Sequence, residues 1–231
     1  MKTIDISDKD FLCDLQAPCF QALGDAEVAL VKSSKTQVQF RKGDNITKQG
    51  TFASYILFII DGLATQYIED EGSKSFNTRI VRPGEFVGLS SIFSNNTFDY
   101  SSKAISDCQA ILVDKNTLLQ IINNNGAFGL GLFKRYTQKN ANLYETLQAI
   151  LYKQMNGRMA KTLLYINSFK ADFPDIFQLL PRKDIADFAG ISTESAVKLL
   201  KSFEKDGYLT LDGKDVTLKD EEALTEISRR G

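Results

Sequence analysis

Between residues 180 and 209 the apolar positions fall at Ile185, Phe188, Ala189, Ile191, Ala196, Leu199, Leu200 and Phe203. Steps of three and four residues put them on one stripe of each of two short helices, with Gly190 between. A helix-turn-helix needs a small residue where its helices touch, a turn residue that accepts positive φ, and a second buried residue on the following helix. Ala186, Gly190 and Ala196 meet all three needs in register with the stripe. Residues 176–179 read as a short strand leading into this motif. Beyond it, residues 208–211 and 215–218 flank Asp212-Gly213-Lys214, which predicts a hairpin. Asp220, Glu221 and Glu222 then open a last short helix at its positive end.

Upstream the period shortens. Short strand-like stretches at 36–40, 54–60, 63–68, 76–81 and 109–113 are punctuated by Gly43-Asp44, Gln49-Gly50, Asp61-Gly62, an acidic turn at 70–73, and Pro83-Gly84. Short strands at this spacing predict an antiparallel sandwich or barrel. Cys13, Phe20, Leu23 and Val28 read as contacts of one or two preceding helices, and another helix begins near Asp114. From Phe133 the steps run 3, 4, 3, 4. They place Phe133, Asn140, Leu147 and Gln154 at a, with Tyr136, Leu143 and Ile150 at d, of a coiled-coil seam. About 25 residues make a rod of ~38 Å. An Asn at a favours a parallel, in-register dimer, because its amide pairs across the two-fold axis. The other reading of this helix is packing against its own barrel.

Composition narrows the chemistry more than the fold. The net charge of −1 argues for neither nucleic acid nor an anionic membrane surface. Asp5, Asp8, Asp10 and Asp14 stand where a secretory signal needs an apolar core. The uncharged run 116–133 is interrupted by Asn123, Asn124, Asn125 and Gly126, so no membrane span is expected. The chain has three cysteines and no histidine. That removes Ser-His and Cys-His nucleophiles and imidazole ligation of zinc or haem, and it leaves a four-thiolate cluster one ligand short. The expectation is a cytoplasmic protein with no metal that is not an enzyme, its cysteines acting as small core hydrophobes.

The run from Ser54 to Phe93 resembles the double-stranded β-helix of the cyclic-AMP receptor protein/FNR (Crp/Fnr) family. The resemblance rests on the Asp61-Gly62 corner, the acidic hairpin at Gly72 and Pro83-Gly84-Glu85-Phe86-Val87-Gly88. It implies an effector pocket at Gly84, Glu85, Phe86, Gly88, Leu89, Ser90, Tyr100 and Tyr144, with a phosphate-binding cassette after Gly88. Family members that bind cyclic nucleotides place a glutamate after that glycine and an Arg-Ser or Arg-Thr pair about a dozen residues on. Here Leu89 takes the first place, Phe98-Asp99-Tyr100 the second, and Leu143-Tyr144 replace the family's Thr-Ser pair on the long helix. Arg79 and Lys103 are the nearby cations. The effector is therefore expected not to be cyclic AMP, and an unidentified small molecule or a side-chain-filled barrel stays open.

Residues 156–164 resemble the hinge and first helix of the family's DNA-binding domain, and Asn156-Gly157 reads as the break after the long helix. The resulting fold is α+β. A sensor domain at 1–126 is joined by a dimerisation helix at 127–152 to a winged helix-turn-helix at 153–231. Ser192 caps the second helix of the motif. Thr193, Glu194, Ser195 and Lys198 lie where side chains reach base edges in a major groove, Glu194 accepting from cytosine and Lys198 donating to guanine. Arg182 and Lys201 are expected on phosphates, within a basic face that includes Arg158 and Lys161. Against this, residues 181–231 carry nine Lys/Arg and eleven Asp/Glu, which predicts a modest salt dependence. The partners implied are promoter DNA, a second copy of the chain and, by the resemblance, RNA polymerase. The alternative is a sensor that acts through protein partners alone.

Overall fold

The computed structural model describes residues 2–3, 20–70, 74–94 and 96–231. Cys13, Cys19 and the tip of the acidic hairpin at 71–73 lie outside the described residues. By its own contacts the chain divides into two compact units, residues 1–74 with 79–141, and residues 75–78 with 142–231.

In the first unit a short strand β1 (Lys2–Thr3) and helix α1 (Asp25–Ser34) precede a run of eight strands. These are β2 (Lys35–Phe40), β3 (Asn45–Thr47), β4 (Tyr55–Asp61), β5 (Ala64–Glu69), β6 (Ser75–Val81), β7 (Phe86–Val87), β8 (Ser101–Ala104) and β9 (Cys108–Asp114). Helices α2 (Lys115–Asn124) and α3 (Gly126–Tyr152) follow. The strands form two sheets, in the orders β1-β2-β9-β4-β7 and β3-β8-β5-β6. The central ladders β2·β9, β4·β9, β3·β8 and β5·β8 are antiparallel. This is the sandwich that the turn spacing predicts.

Successive side chains on a strand point to opposite faces, and both faces of the larger sheet are covered. Ile56 and Phe58 of β4, with Ile111 and Val113 of β9, pack outward on Phe20, Val31, Leu118, Ile121, Phe128 and Leu132. Their neighbours Leu57, Ile59, Cys108 and Ala110 face inward, with Val38, Phe40, Val81 and Val87. That is why residues 56–59 read as a continuous apolar run rather than an alternating one. Cys108 sits in the inner core, and burial pushes its thiol up to about 11, so it stays protonated as a small hydrophobe.

In the second unit the end of α3 is followed by a two-residue break at Lys153 and Gln154, then by α4 (Met155–Asn167). Next come α5 (Ile176–Leu179), α6 (Arg182–Ala189), α7 (Thr193–Lys205), β10 (Leu209–Asp212), β11 (Asp215–Leu218) and α8 (Glu221–Arg230). Met159, Leu163, Ile166, Ile185, Ala186, Ala196, Leu200 and Leu224 are almost wholly buried, so the predicted stripes meet in one core. The hairpin is paired from Leu209↔Leu218 to Asp212↔Asp215, and Asp220 caps α8 by accepting from the Ala223 N–H at 2.8 Å.

Three expectations need correcting. Residues 176–179 form a helical turn instead of a strand, because adjacent Ile176 and Phe177 are both buried, which an alternating strand on one face does not allow. The break after the long helix precedes Asn156-Gly157, and Gly157 lies inside α4. A Cβ on Gly157 would come within 2.6 Å of the Gly231 carbonyl oxygen, so its smallness serves the close approach of Gly231, not a break. Gln154 adopts extended backbone beyond α3 and is no part of a helical seam.

Candidate functional site

The helix-turn-helix is built from α6, Gly190 and α7. Gly190 ends α6 in the left-handed region at φ 61°, and its carbonyl accepts from the Arg158 guanidinium at 3.2 Å. Ser192 then caps α7, accepting from the Ser195 N–H at 3.1 Å. Thr193, Glu194, Lys198 and Lys201 are exposed, and the last three follow one line along α7 at steps of four and three. Ser195 is half-buried, its hydroxyl 2.9 Å from that of Ser192. Glu194 and Lys198 pair at 2.6 Å while about three-quarters exposed, so binding a duplex would open only a weak surface pair.

Several cations expected on phosphates are engaged inside the unit. Arg182 is half-buried and donates to the Gly213 carbonyl at 2.9 Å, bracing the hairpin turn against the start of α6. Burial lowers its pKa, while nearby Asp215 acts the other way. Lys161 donates to the Glu145 carbonyl at 2.9 Å, and burial lowers its pKa too. Arg182, Arg158 and Lys161 are therefore struts first; Lys201 on α7 and Lys214 at the tip of the hairpin are among the exposed cations. Sequence spacing did not single out Lys214, because its exposure follows from where β10 and β11 carry it.

In the first unit the cassette follows β7. Gly84 turns at φ 84° and Gly88 at φ 82°, and residues Leu89–Ile92 form a short 3-10 helix. Phe86 and Leu89, expected in the effector pocket, belong instead to the outer core. The Phe86 ring lies 5.0 Å from that of Phe58 and 5.3 Å from that of Phe20. Strand alternation explains this: Val87, next to Phe86, is the one that faces the barrel interior. The barrel side of the cassette is filled by Phe98 and Tyr100, which pack on the inner core. Tyr100 accepts the Gly88 N–H at 2.8 Å, and a Cβ on Gly88 would fall 2.5 Å from the Phe98 ring. Ser90 keeps its place on the 3-10 helix, its buried hydroxyl without a partner among the described residues. Tyr144 is 72% exposed and lies in the other unit.

Cations gather at the turn before the cassette. Arg79 pairs with Glu85 at 2.5 Å and donates to Gln66 at 2.9 Å. From α3, Arg135 donates to the Gly84 carbonyl at 2.7 Å and Lys139 to that of Phe86 at 3.2 Å. Burial pushes the Glu85 carboxyl up, but the charges of Arg79 and Lys139 and the hydrogen bonds from Arg79 and the Arg82 N–H outweigh it, so the net pKa is lowered. Lys103 is exposed on β8, opposite Asn45 and Thr65 in the ladder. Among the described residues no group of His, Cys, Asp or Glu gathers as a metal site, and no helix is long and apolar enough to cross a membrane.

The groups at the cassette are engaged with one another. Leu89 is buried away from the barrel, and the Gly88 N–H is already taken by a phenol. Tyr100→Phe removes that acceptor and is expected to cost about 1–3 kcal/mol in denaturant unfolding, the usual penalty for an orphaned donor. The Glu85 pair makes a pH prediction. A carboxyl whose folded pKa lies below its ordinary 4.5 stabilises fully above that value and loses its contribution as pH falls through the folded one. The melting-temperature gap between wild type and Glu85→Gln should be widest near neutrality and close as pH falls below 4.5 and through the lowered folded value. A gap independent of pH would contradict the assignment.

The long helix has two faces. Phe128 and Leu132 are buried on the barrel, on the side from which Arg135 and Lys139 reach the turn. Beside them runs an exposed line of Phe133 (65%), Tyr136, Leu143, Tyr144, Leu147 and Leu151 (62%), with Asn140 half-buried within it. Ile150, expected at the last d position, is half-buried; its Cδ1 would lie 2.7 Å from a Cβ on Gly190, so Leu151 carries the exposed line past it. One face of this helix packs against its own barrel, and the other leaves the seam residues exposed in the single chain.

Two family models match the chain: the cyclic nucleotide-binding domain over residues 37–125 and the Crp-like helix-turn-helix domain over residues 157–227. The chain is 22% identical over 218 residues to a CRP-like cAMP-activated global transcriptional regulator of Mycobacterium tuberculosis (strain CDC 1551 / Oshkosh), covering 93% of this chain and 97% of the relative. Its fold is similar to a transcriptional regulator of the crp/fnr family from Eubacterium rectale (TM-score 0.75, 16% identity, 92% and 98% of the two chains covered). It is also similar to FixK2 of Bradyrhizobium japonicum (TM-score 0.73, 19% identity, 84% and 96% covered).

Proposed function

Because the chain belongs to the Crp/Fnr family of DNA-binding transcription regulators, which are not enzymes, we propose that it works as a homodimer reading a palindromic operator without cyclic AMP. The observation that carries the dimer is the exposed line from Phe133 to Leu151. A largely apolar stripe at steps of three and four on a 27-residue helix, broken by Asn140 at one a position, is the surface a parallel partner helix covers. Pairing there would repeat α7 about a two-fold axis, so the half-sites should lie about one helical turn apart. Within each half-site Glu194 and Lys198 read base edges, Thr193 and Ser195 flank them, and Lys201 and Lys214 meet phosphates. Arg182 holds the wing for that contact. RNA polymerase is the proposed protein partner and the cytoplasm the proposed compartment.

For the effector, the self-filled cassette supports a regulator indifferent to cyclic AMP, unlike the Mycobacterium relative, whose name states cAMP activation. The test is a footprint on DNA selected from random sequence, with and without cyclic AMP, using protein stripped of small molecules. Protection of two symmetric half-sites, unchanged by the nucleotide, is the expected result. A single asymmetric site would overturn the dimer reading, and protection that requires cyclic AMP would overturn the effector reading.

A further inference from the structure

Beside the exposed face of α3 lies an apolar groove of about 340 Å³. Its α3 wall is Gly129, Leu132, Phe133 and Tyr136; Leu89 and Phe93 come from the cassette, and Ile122 of α2 adds to the lining. Phe93, at the end of the cassette's 3-10 helix, is 69% exposed and continues this apolar lining onto the surface.

The four α3 residues have a defined relation to the seam. In a parallel, in-register helix pair, a side chain at an a position enters the hole between the facing helix's residues at a−4, a−1, a and a+3. For Phe133 those positions are 129, 132, 133 and 136, the same four that wall the groove. An ordinary hole of this kind is shallow. Here the a−4 residue is glycine, so the hole lacks one side chain and opens onto Leu89 and Phe93. We propose that the groove is the socket for Phe133 of a second copy, so that each subunit's ring enters its partner and rests on the partner's cassette. This rests on the homodimer reading above and adds to it a direct contact between the dimer helix and the effector cassette. The occupant is an aromatic side chain at a symmetry-related position, as a two-fold interface requires.

The geometry also supplies a control. A Cβ on Gly129 would meet only ordinary contacts, Ile122 Cγ2 at 3.5 Å and the Ile122 carbonyl at 3.7 Å, so alanine fits without displacing anything. A leucine there fills the socket. Sedimentation of the full chain should give a dimer for wild type and for Gly129→Ala, and at least a tenfold weaker dimer for Gly129→Leu and Phe133→Ala. As a direct readout, chain carrying the photo-reactive p-benzoyl-phenylalanine in place of Phe93 is mixed with unmodified chain labelled with nitrogen-15, and irradiated. Cross-links from the light chain to the labelled peptide containing Phe133 are expected. Cross-links confined to the light chain, or a Gly129→Leu dimer as tight as wild type, would overturn the socket while leaving the dimer intact. A wild-type chain that sediments as a monomer would overturn the dimer reading itself, and the socket with it.

Discussion

Leu147→Asp should leave both units folded, abolish the dimer at micromolar concentration, and weaken operator binding by ~10²–10⁴-fold, the factor usually gained by joining two binding modules. Leu147 is 51% exposed in the single chain, so truncating its contacts within the subunit costs little. In the pair it sits at an a position, where two aspartates would face each other in a water-poor seam and neither charge would find a partner. The readouts are sedimentation for the dimer, circular dichroism for the fold, and a titration against operator-length DNA. Full operator affinity in a monomeric variant would refute the two-fold reading of the recognition helices. Leu143→Asp, one turn away on the same line, should behave alike, whereas Gln148→Asp, on an exposed position outside that line, should not.

The second large effect concerns sequence choice. Lys198→Ala should reduce discrimination between operator and scrambled DNA by roughly 5–150-fold per half-site, equivalent to the ~1–3 kcal/mol of a good base contact. The free-chain pair between Glu194 and Lys198 is exposed and worth only a few tenths of a kcal/mol, about 0.3–0.5, so it does not mask the loss. Glu194→Ala should relax preference at a different base pair of the half-site. Lys201→Ala, by contrast, should weaken all sequences about equally and lower the salt slope by about one per subunit. If Lys198→Ala changed only the salt slope, Lys198 would be a phosphate contact and the assignment of base reading to it would fail. The acidic balance of residues 181–231, together with Arg158, Arg182 and Lys161 being tied to carbonyls, keeps the expected total slope modest.

Much of this architecture is a property of local pattern, and local pattern is legible one residue at a time. Ala186, Gly190 and Ala196 announce the helix-turn-helix because each demand is short-range: a small contact, a left-handed turn, a buried helical face. The same holds for the Ser192 cap, the Gly213 turn and the seam spacing from Phe133 to Leu147. Where two local signals competed, the nearest one misled. Gly157 looked like a helix break and is a site of close approach to Gly231, a residue 74 positions away in the chain.

What the chain alone determined is most of the helices and strands and the helix-turn-helix with its capped second helix, because periodicity and capping act within a few residues. Only the folded chain decided which way each side chain in the cassette faces and whom each cation serves. Phe86 and Leu89 turn to the outer core because of the register of β7 on β4. Tyr100 reaches Gly88 because β8 begins beside it, and Arg182 is held at Gly213 because the hairpin folds back upon α6. These contacts join residues 12 and 31 positions apart, distances at which spacing carries no signal and packing alone selects the partner.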